Sequence, residues 1–175
     1  MQLSYGEGGI LIKKHVLSVL VENHYGVLSR IAGLFSRRGY NIDSLSVGVT
    51  ENPNISRMTI TVTGDDYLLE QITKQLNKLI NVIKVVELKP EKSVHRDLVL
   101  IKVKANAASR SAINETVNIF RANIVDISSE TLTVELTGDA GKISAFVDVI
   151  KPFGIIELVR TGFTGIQRGS SQIID

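Results

Sequence analysis

The chain has 175 residues, 43% of them hydrophobic and 22% charged, with a net charge of +2, three histidines and no cysteine. This describes a globular protein of one medium or two small domains. It excludes disulfides, a thiol nucleophile and thiolate zinc sites, and so small a net charge argues against nucleic acid or an anionic membrane as partner. No apolar run approaches the roughly 20 residues that span a bilayer, and the N-terminus lacks the cationic, apolar and small-residue pattern of a secretion signal. The expectation is a cytoplasmic protein with no membrane contact.

Residues 1–13 hold Gly6, Gly8 and Gly9 without periodicity and read as a flexible lead-in, with a short strand at Ile10–Ile12 as the alternative. A Val/Leu-rich strand runs from His15 to Glu22. Leu28, Ile31, Ala32, Leu34 and Phe35 then fall at helical spacing, and Arg37-Arg38-Gly39 supplies cations and a glycine stop. A strand follows over Asn41–Thr50, and Glu51-Asn52-Pro53-Asn54 is a turn. Ser56–Thr63 alternates Met58, Ile60 and Val62 with Arg57, Thr59 and Thr61, as a strand does. Gly64-Asp65-Asp66 opens a helix carrying Leu68, Leu69, Ile72, Leu76 and Leu79 to about Ile80, and Val82–Leu88 is a strand.

The order β-α-β-β-α-β is ferredoxin-like. Lys89-Pro90-Glu91-Lys92-Ser93 is a polar hinge, after which the order repeats at an offset of about 75–80 residues. Leu98–Lys104, Ser111–Phe120, Asn123-Ile124-Val125, Leu132–Leu136, a helix through Ala145, Phe146 and Val149, and Ile155–Val159 are the second set. Thr137-Gly138-Asp139 echoes Thr63-Gly64-Asp65. The fold class is therefore α+β, two βαββαβ domains in tandem. The expected divisions are a lead-in over 1–13, a first domain over 14–89, a second over 94–169 and a tail over 170–175. Gly162 to Gly169 is glycine-spaced, either a loose end or a segment that a partner orders.

The first strand-to-helix turn, Glu22 to Leu28, is the candidate site. A helix N-terminus offers unpaired N–H groups and a partial positive charge that favour carboxylates. Gly26 lets foreign atoms approach its backbone, and Asn23 is either a helix cap or a ligand for a charged group. Both residues also fit an ordinary turn. Val27, Leu28 and Ile42 could receive an aliphatic side chain. An α-amino acid suits the loop, and enclosing it calls for a second copy of the domain, whose edge strand needs covering. The second repeat has no glycine in its equivalent loop, Ala105 to Arg110. His15, His24 and His95 are scattered, with no catalytic or metal-binding context. His24 beside Asn23 is either solvated or a ligand neighbour. The central strands lack the aromatics with which RNA-recognition modules stack bases.

Several stretches resemble the ACT domain, an amino-acid-sensing module. They are Glu22-Asn23, Gly26-Val27-Leu28-Ser29-Arg30-Ile31, Gly33-Leu34-Phe35-Ser36-Arg37-Arg38-Gly39-Tyr40-Asn41-Ile42 and Ser56-Arg57-Met58-Thr59-Ile60. With Phe120-Arg121, Gly141-Lys142 and Arg160-Thr161-Gly162, the resemblance extends over about Lys14 to Gly169. It points to the regulatory (small) subunit family of acetohydroxyacid synthase, or acetolactate synthase. The resemblance implies a non-catalytic homodimer without cofactors of its own. Its partner would be a catalytic large subunit carrying thiamine diphosphate, Mg2+ and FAD, which the small subunit activates and makes sensitive to valine or another branched-chain amino acid. The implied effector contacts are Asn23, Gly26, Val27 and Leu28 from one copy and Asn41 and Ile42 from the other. His24 sits at a position of variable type. The rival expectation is a free-standing ACT-repeat sensor or transcriptional regulator, although no helix-turn-helix pattern stands out.

Overall fold

The computed structural model describes Ser4–Tyr5 and residues 11–173. The first repeat comprises β1 (Ser4–Tyr5), β2 (Leu11–Glu22), α1 (Val27–Arg38), β3 (Ser44–Val49), β4 (Ile55–Gly64), α2 (Asp66–Leu76) and β5 (Val82–Glu87). The second comprises β6 (Ser93–Lys104), α3 (Arg110–Ile119), β7 (Asn123–Ile127), β8 (Thr131–Gly138), α4 (Ala140–Ile150) and β9 (Ile155–Arg160), and β10 (Thr164–Gln167) follows. Strand order is β5-β2-β4-β3 in one sheet, with β1 also on β2, and β9-β6-β8-β7 in the other, with β10 also on β6. The strands β1 to β9 pair antiparallel in both. These are two ferredoxin-like folds in tandem.

Alternation along each central strand builds the cores. In the first, Leu17, Val19 and Val21 of β2 and Met58, Ile60 and Val62 of β4 meet Val27, Ile31, Leu34 and Phe35 of α1 and Ile72 and Leu76 of α2. Burying each such side chain contributes about 1.5–3 kcal/mol. The second repeats the scheme with Val99, Ile101 and Val103 against Ile113, Val117, Ile143, Phe146 and Ile150. Phe120 meets Phe146 edge-on at 5.2 Å. Asp97, buried near the start of β6, accepts from Arg160 Nε at 2.8 Å, from Arg160 Nη2 and from Thr161 Oγ1, so β9 is clasped to β6.

Four elements depart from the sequence expectation. Asn41–Asp43 is not strand: the Asp43 N–H donates to Thr61 O, its Oδ2 accepts from Thr63 Oγ1, and β3 starts at Ser44. Helix α2 stops at Leu76 rather than near Ile80, because Lys78 and Leu79 turn back onto the Gln75 and Leu76 carbonyls. Strand β6 begins at Ser93, where a hinge was expected, directly after a 3-10 turn at Pro90–Lys92. The lead-in expected over 1–13 falls mostly outside the described residues, but 11–13 are already strand.

The chain divides into two compact units. One runs to Val94 and takes back the chain from Phe163 onward; the other is His95–Gly162. Phe163 packs on Val16 and Leu88 of the first unit, on the sheet face away from α1 and α2, and Arg168 donates from N to Lys92 O and from Nε to Ser93 O. The segment from Gly162 is thus not a loose end.

The repeated Thr-Gly-Asp has a steric cause. Asp65 caps α2 through the Leu68 N–H at 2.7 Å, and Asp139 caps α4 through the Lys142 N–H at 2.8 Å. The glycine before each cap lies under the same residue: a Cβ on Gly64 would stand 2.2 Å from Leu68 Cδ2 and 3.2 Å from its Cβ, and one on Gly138 would stand 2.8 Å from Lys142 Cδ. Leu68 is packed on the core, whereas Lys142 is half-buried outside it, a flexible chain held by Nζ donating to Thr137 O at 3.1 Å. Gly64→Ala is expected to cost about 1–3 kcal/mol and Gly138→Ala less, as compared by urea midpoints.

Candidate functional site

The start of α1 differs from the starts of α2 and α4. Its N-cap is Gly26, at φ 85° and ψ −10°, and no side chain caps the first turn. A left-handed residue at this point favours glycine. The first-turn amides, which a helix cannot satisfy internally, therefore face outward without a carboxylate of the chain's own. Asn23 is not the cap. Its Nδ2 donates to Pro53 O at 2.8 Å and its N–H to Asn54 O at 2.7 Å, which ties the loop to the β3–β4 turn and leaves Oδ1 as an acceptor.

Val27 is buried in the first core, and Leu28 beside it is 45% exposed. Ile42 packs partly against the same core, and Asn41 is exposed with Nδ2 donating to Asp43 Oδ1 at 2.8 Å. Asn23, Gly26, Val27 and Leu28 are thus together at one end of α1, while Asn41 and Ile42 follow its other end. A helix of 12 residues is about 18 Å long, so one chain does not gather both groups around one small molecule. Edge strand β3 presents Leu45, Val47 and Val49 on its helix-side face; Leu45 is covered, but Val47 and Val49 are 45% and 59% exposed.

Sequence reasoning missed the polar network behind the loop. Asn81, buried after α2, donates from Nδ2 to Glu22 Oε2 at 2.6 Å and accepts at Oδ1 from Arg30 Nη1 at 2.7 Å. Its carbonyl takes the Glu22 N–H. His24, expected as either solvated or a ligand neighbour, belongs to this network. Its Nδ1 lies 3.1 Å from Tyr25 O, and its Nε2 lies 3.0 Å from Glu22 Oε2 and 3.1 Å from Asn81 Nδ2. Which of the two groups Nε2 bonds depends on the tautomer: it can accept from Asn81 Nδ2 or donate to Glu22 Oε2. Only the fact that Glu22, His24, Arg30 and Asn81 are all polar was available in the sequence, since Asn81 is far from the others along the chain.

The Asn81 amide, and then His24, hold the Glu22 carboxyl below the usual carboxylate range. A lowered pKa in the folded state means that the contribution is present above the unfolded pKa and is lost as pH falls through the folded one. The Asn81 side-chain amide resonances are expected to stay fixed on acidification through the ordinary carboxylate range and to move only below it.

Residues 17–84 match the family described as the AHAS small subunit-like ACT domain, and residues 96–169 match the small subunit of acetolactate synthase. An acetolactate synthase small subunit of Mycobacterium bovis is 60% identical over 157 residues, which cover 90% of this chain and 94% of that protein. The chain belongs to the acetolactate synthase small-subunit family. A probable acetolactate synthase small subunit of Methanothermobacter thermautotrophicus is 57% identical over 157 residues, covering 89% of this chain and 94% of its own. The crystal structure of the acetolactate synthase small subunit from Thermotoga maritima is 40% identical with a TM-score of 0.84, covering 91% of this chain and 99% of that one.

In this member of the acetolactate synthase small-subunit family the second repeat fills its own equivalent loop. Arg110, in the first turn of α3, donates from Nη2 to the carbonyls of Ala105, Ser128 and Ser129 at 3.1, 2.7 and 2.9 Å. A guanidinium of the chain thus holds the loop and turn that Asn23 links in the first repeat. Helix α3 also lacks a side-chain cap, but its N-cap is Ser109 in a right-handed conformation and not a left-handed glycine.

Proposed function

We propose that the chain is the regulatory subunit of an acetolactate synthase. It activates a catalytic large subunit and makes it subject to feedback inhibition by valine or another branched-chain amino acid. The large subunit would carry the thiamine diphosphate, Mg2+ and FAD, and this chain would have no catalytic role of its own. The carrying observation is the uncapped start of α1 on a left-handed Gly26, with the half-exposed Leu28 alongside. The effector's carboxylate lies on the first-turn amides of α1. Its ammonium meets Asn23 Oδ1, and its aliphatic side chain lies on Val27 and Leu28. Asn41 and Ile42 of a second copy close the site. The separation of the two residue groups along α1 supports this division, as does the uncovered apolar margin of edge strand β3.

Regulation is then a coupling free energy between effector and catalytic states, typically about 1–3 kcal/mol. The test mixes the full chain with a large subunit and its cofactors and measures acetolactate formation with and without valine, leucine or isoleucine. The expected result is stimulation by the chain and partial or full reversal by one of the three. Absence of any change in the large subunit's rate would leave the chain a free-standing sensor.

A further inference from the structure

The first sheet has a second polar feature, on the face away from α1 and α2. Residues Arg57 and Thr59 of β4 alternate with the core residues Met58 and Ile60, so they point to that opposite face. Ser46 of β3 lies across from Thr59 in the register, and Ser18 of β2 lies across from it on the other side. A cavity of about 350 Å³ opens there, lined by Ser46, Arg57 and Thr59 from the sheet and by Thr164 and Ile166 from β10.

Arg57 is half-buried, its Nε is fully buried and without an acceptor, and among the described residues it has no hydrogen bond or ion pair. Glu51 shares the lining but makes no ion pair with it. The buried hydroxyls of Ser18, Ser44 and Thr61 on the same face also lack partners. A cation removed from water is ordinarily paired, and a charged donor left without an acceptor is costly. Among the described residues Arg57 thus keeps a donor without an acceptor, and the guanidinium fork suits a carboxylate.

We propose that this cavity binds a small carboxylate with a short aliphatic body. The oxyanion pairs with the guanidinium of Arg57 and accepts from the hydroxyls of Ser46 and Thr59. The body lies against Ile166 and the methyl groups of Thr59 and Thr164. The site is on the face opposite Gly26 and does not depend on the effector reading.

The test is a chemical-shift titration of the full chain with isovalerate at millimolar concentration, with inorganic phosphate as the comparison. Saturable shifts are expected at the amides of Ser46, Thr59 and Thr164. Arg57→Gln should weaken binding about tenfold or more. Thr59→Val keeps the volume and fold while removing one hydroxyl, and should weaken it severalfold. Gly26→Asp should leave it unchanged, which separates this site from the effector loop. No saturable shift in the wild type, unchanged affinity in both cavity variants, or tighter binding of phosphate than of isovalerate overturns the proposal.

Discussion

Gly26→Asp is expected to abolish the proposed inhibition by valine, while the chain stays folded and keeps the proposed stimulation of the large subunit. A Cβ at Gly26 meets nothing within 4 Å, so the substitution adds no clash inside the protein. Its internal cost is the left-handed backbone, about 1 kcal/mol or somewhat more for a residue with a side chain and least for Asn or Asp. The effect on the ligand is much larger. The new carboxylate caps the helix start itself and stands where the effector's carboxylate would lie, and two like charges about 4 Å apart near a protein surface repel by about 4 kcal/mol. That corresponds to roughly a thousandfold loss of affinity. Gly26→Asn separates bulk from charge, since it has the same shape and backbone tolerance without the repulsion. Inhibition curves for the two variants, taken beside the stimulation assay, check the expectation. Unchanged valine sensitivity in Gly26→Asp would place the effector elsewhere.

Phe146→Ala is expected to lower stability by about 3–5 kcal/mol, the range for removing a buried aromatic ring. Phe146 has no exposed surface, sits in the middle of α4 and carries the edge contact from Phe120. The strands around it pair along their length and are poorly able to close the void. All four tyrosines precede Val94, so tyrosine fluorescence follows the first unit, whereas far-UV circular dichroism follows both. Urea unfolding recorded by the two signals should show the larger loss in the circular dichroism. A midpoint equal to that of the wild type would mean that the second core repacks around the missing ring.

Period and turn chemistry made the ferredoxin-like order visible in advance. Helix α1 runs from Val27 to Arg38 as its apolar spacing and Gly39 stop predict, and both Thr-Gly-Asp segments open helices. The misread elements are those settled by distant partners. His95, Arg96 and Asp97 break the apolar alternation at the start of β6, yet Asp97 belongs in that strand because Arg160 and Thr161 neutralise it there. At the site, Gly26 was legible because a glycine between a strand and a helix has few explanations. The true partner of Asn23 was not, since Pro53 reaches it only through the β3–β4 turn. Arg57 looked like any solvent-facing strand residue, because alternation tells which face a side chain takes and not what stands over that face.

The return of Phe163 to the first unit governs how the protein can be dissected. A fragment cut at Val94 would expose Val16 and Leu88 where that ring normally sits, and such an uncovered apolar spot invites clumping. A fragment that stops at Val94 leaves out the segment from Phe163 onward, which belongs to the same compact unit.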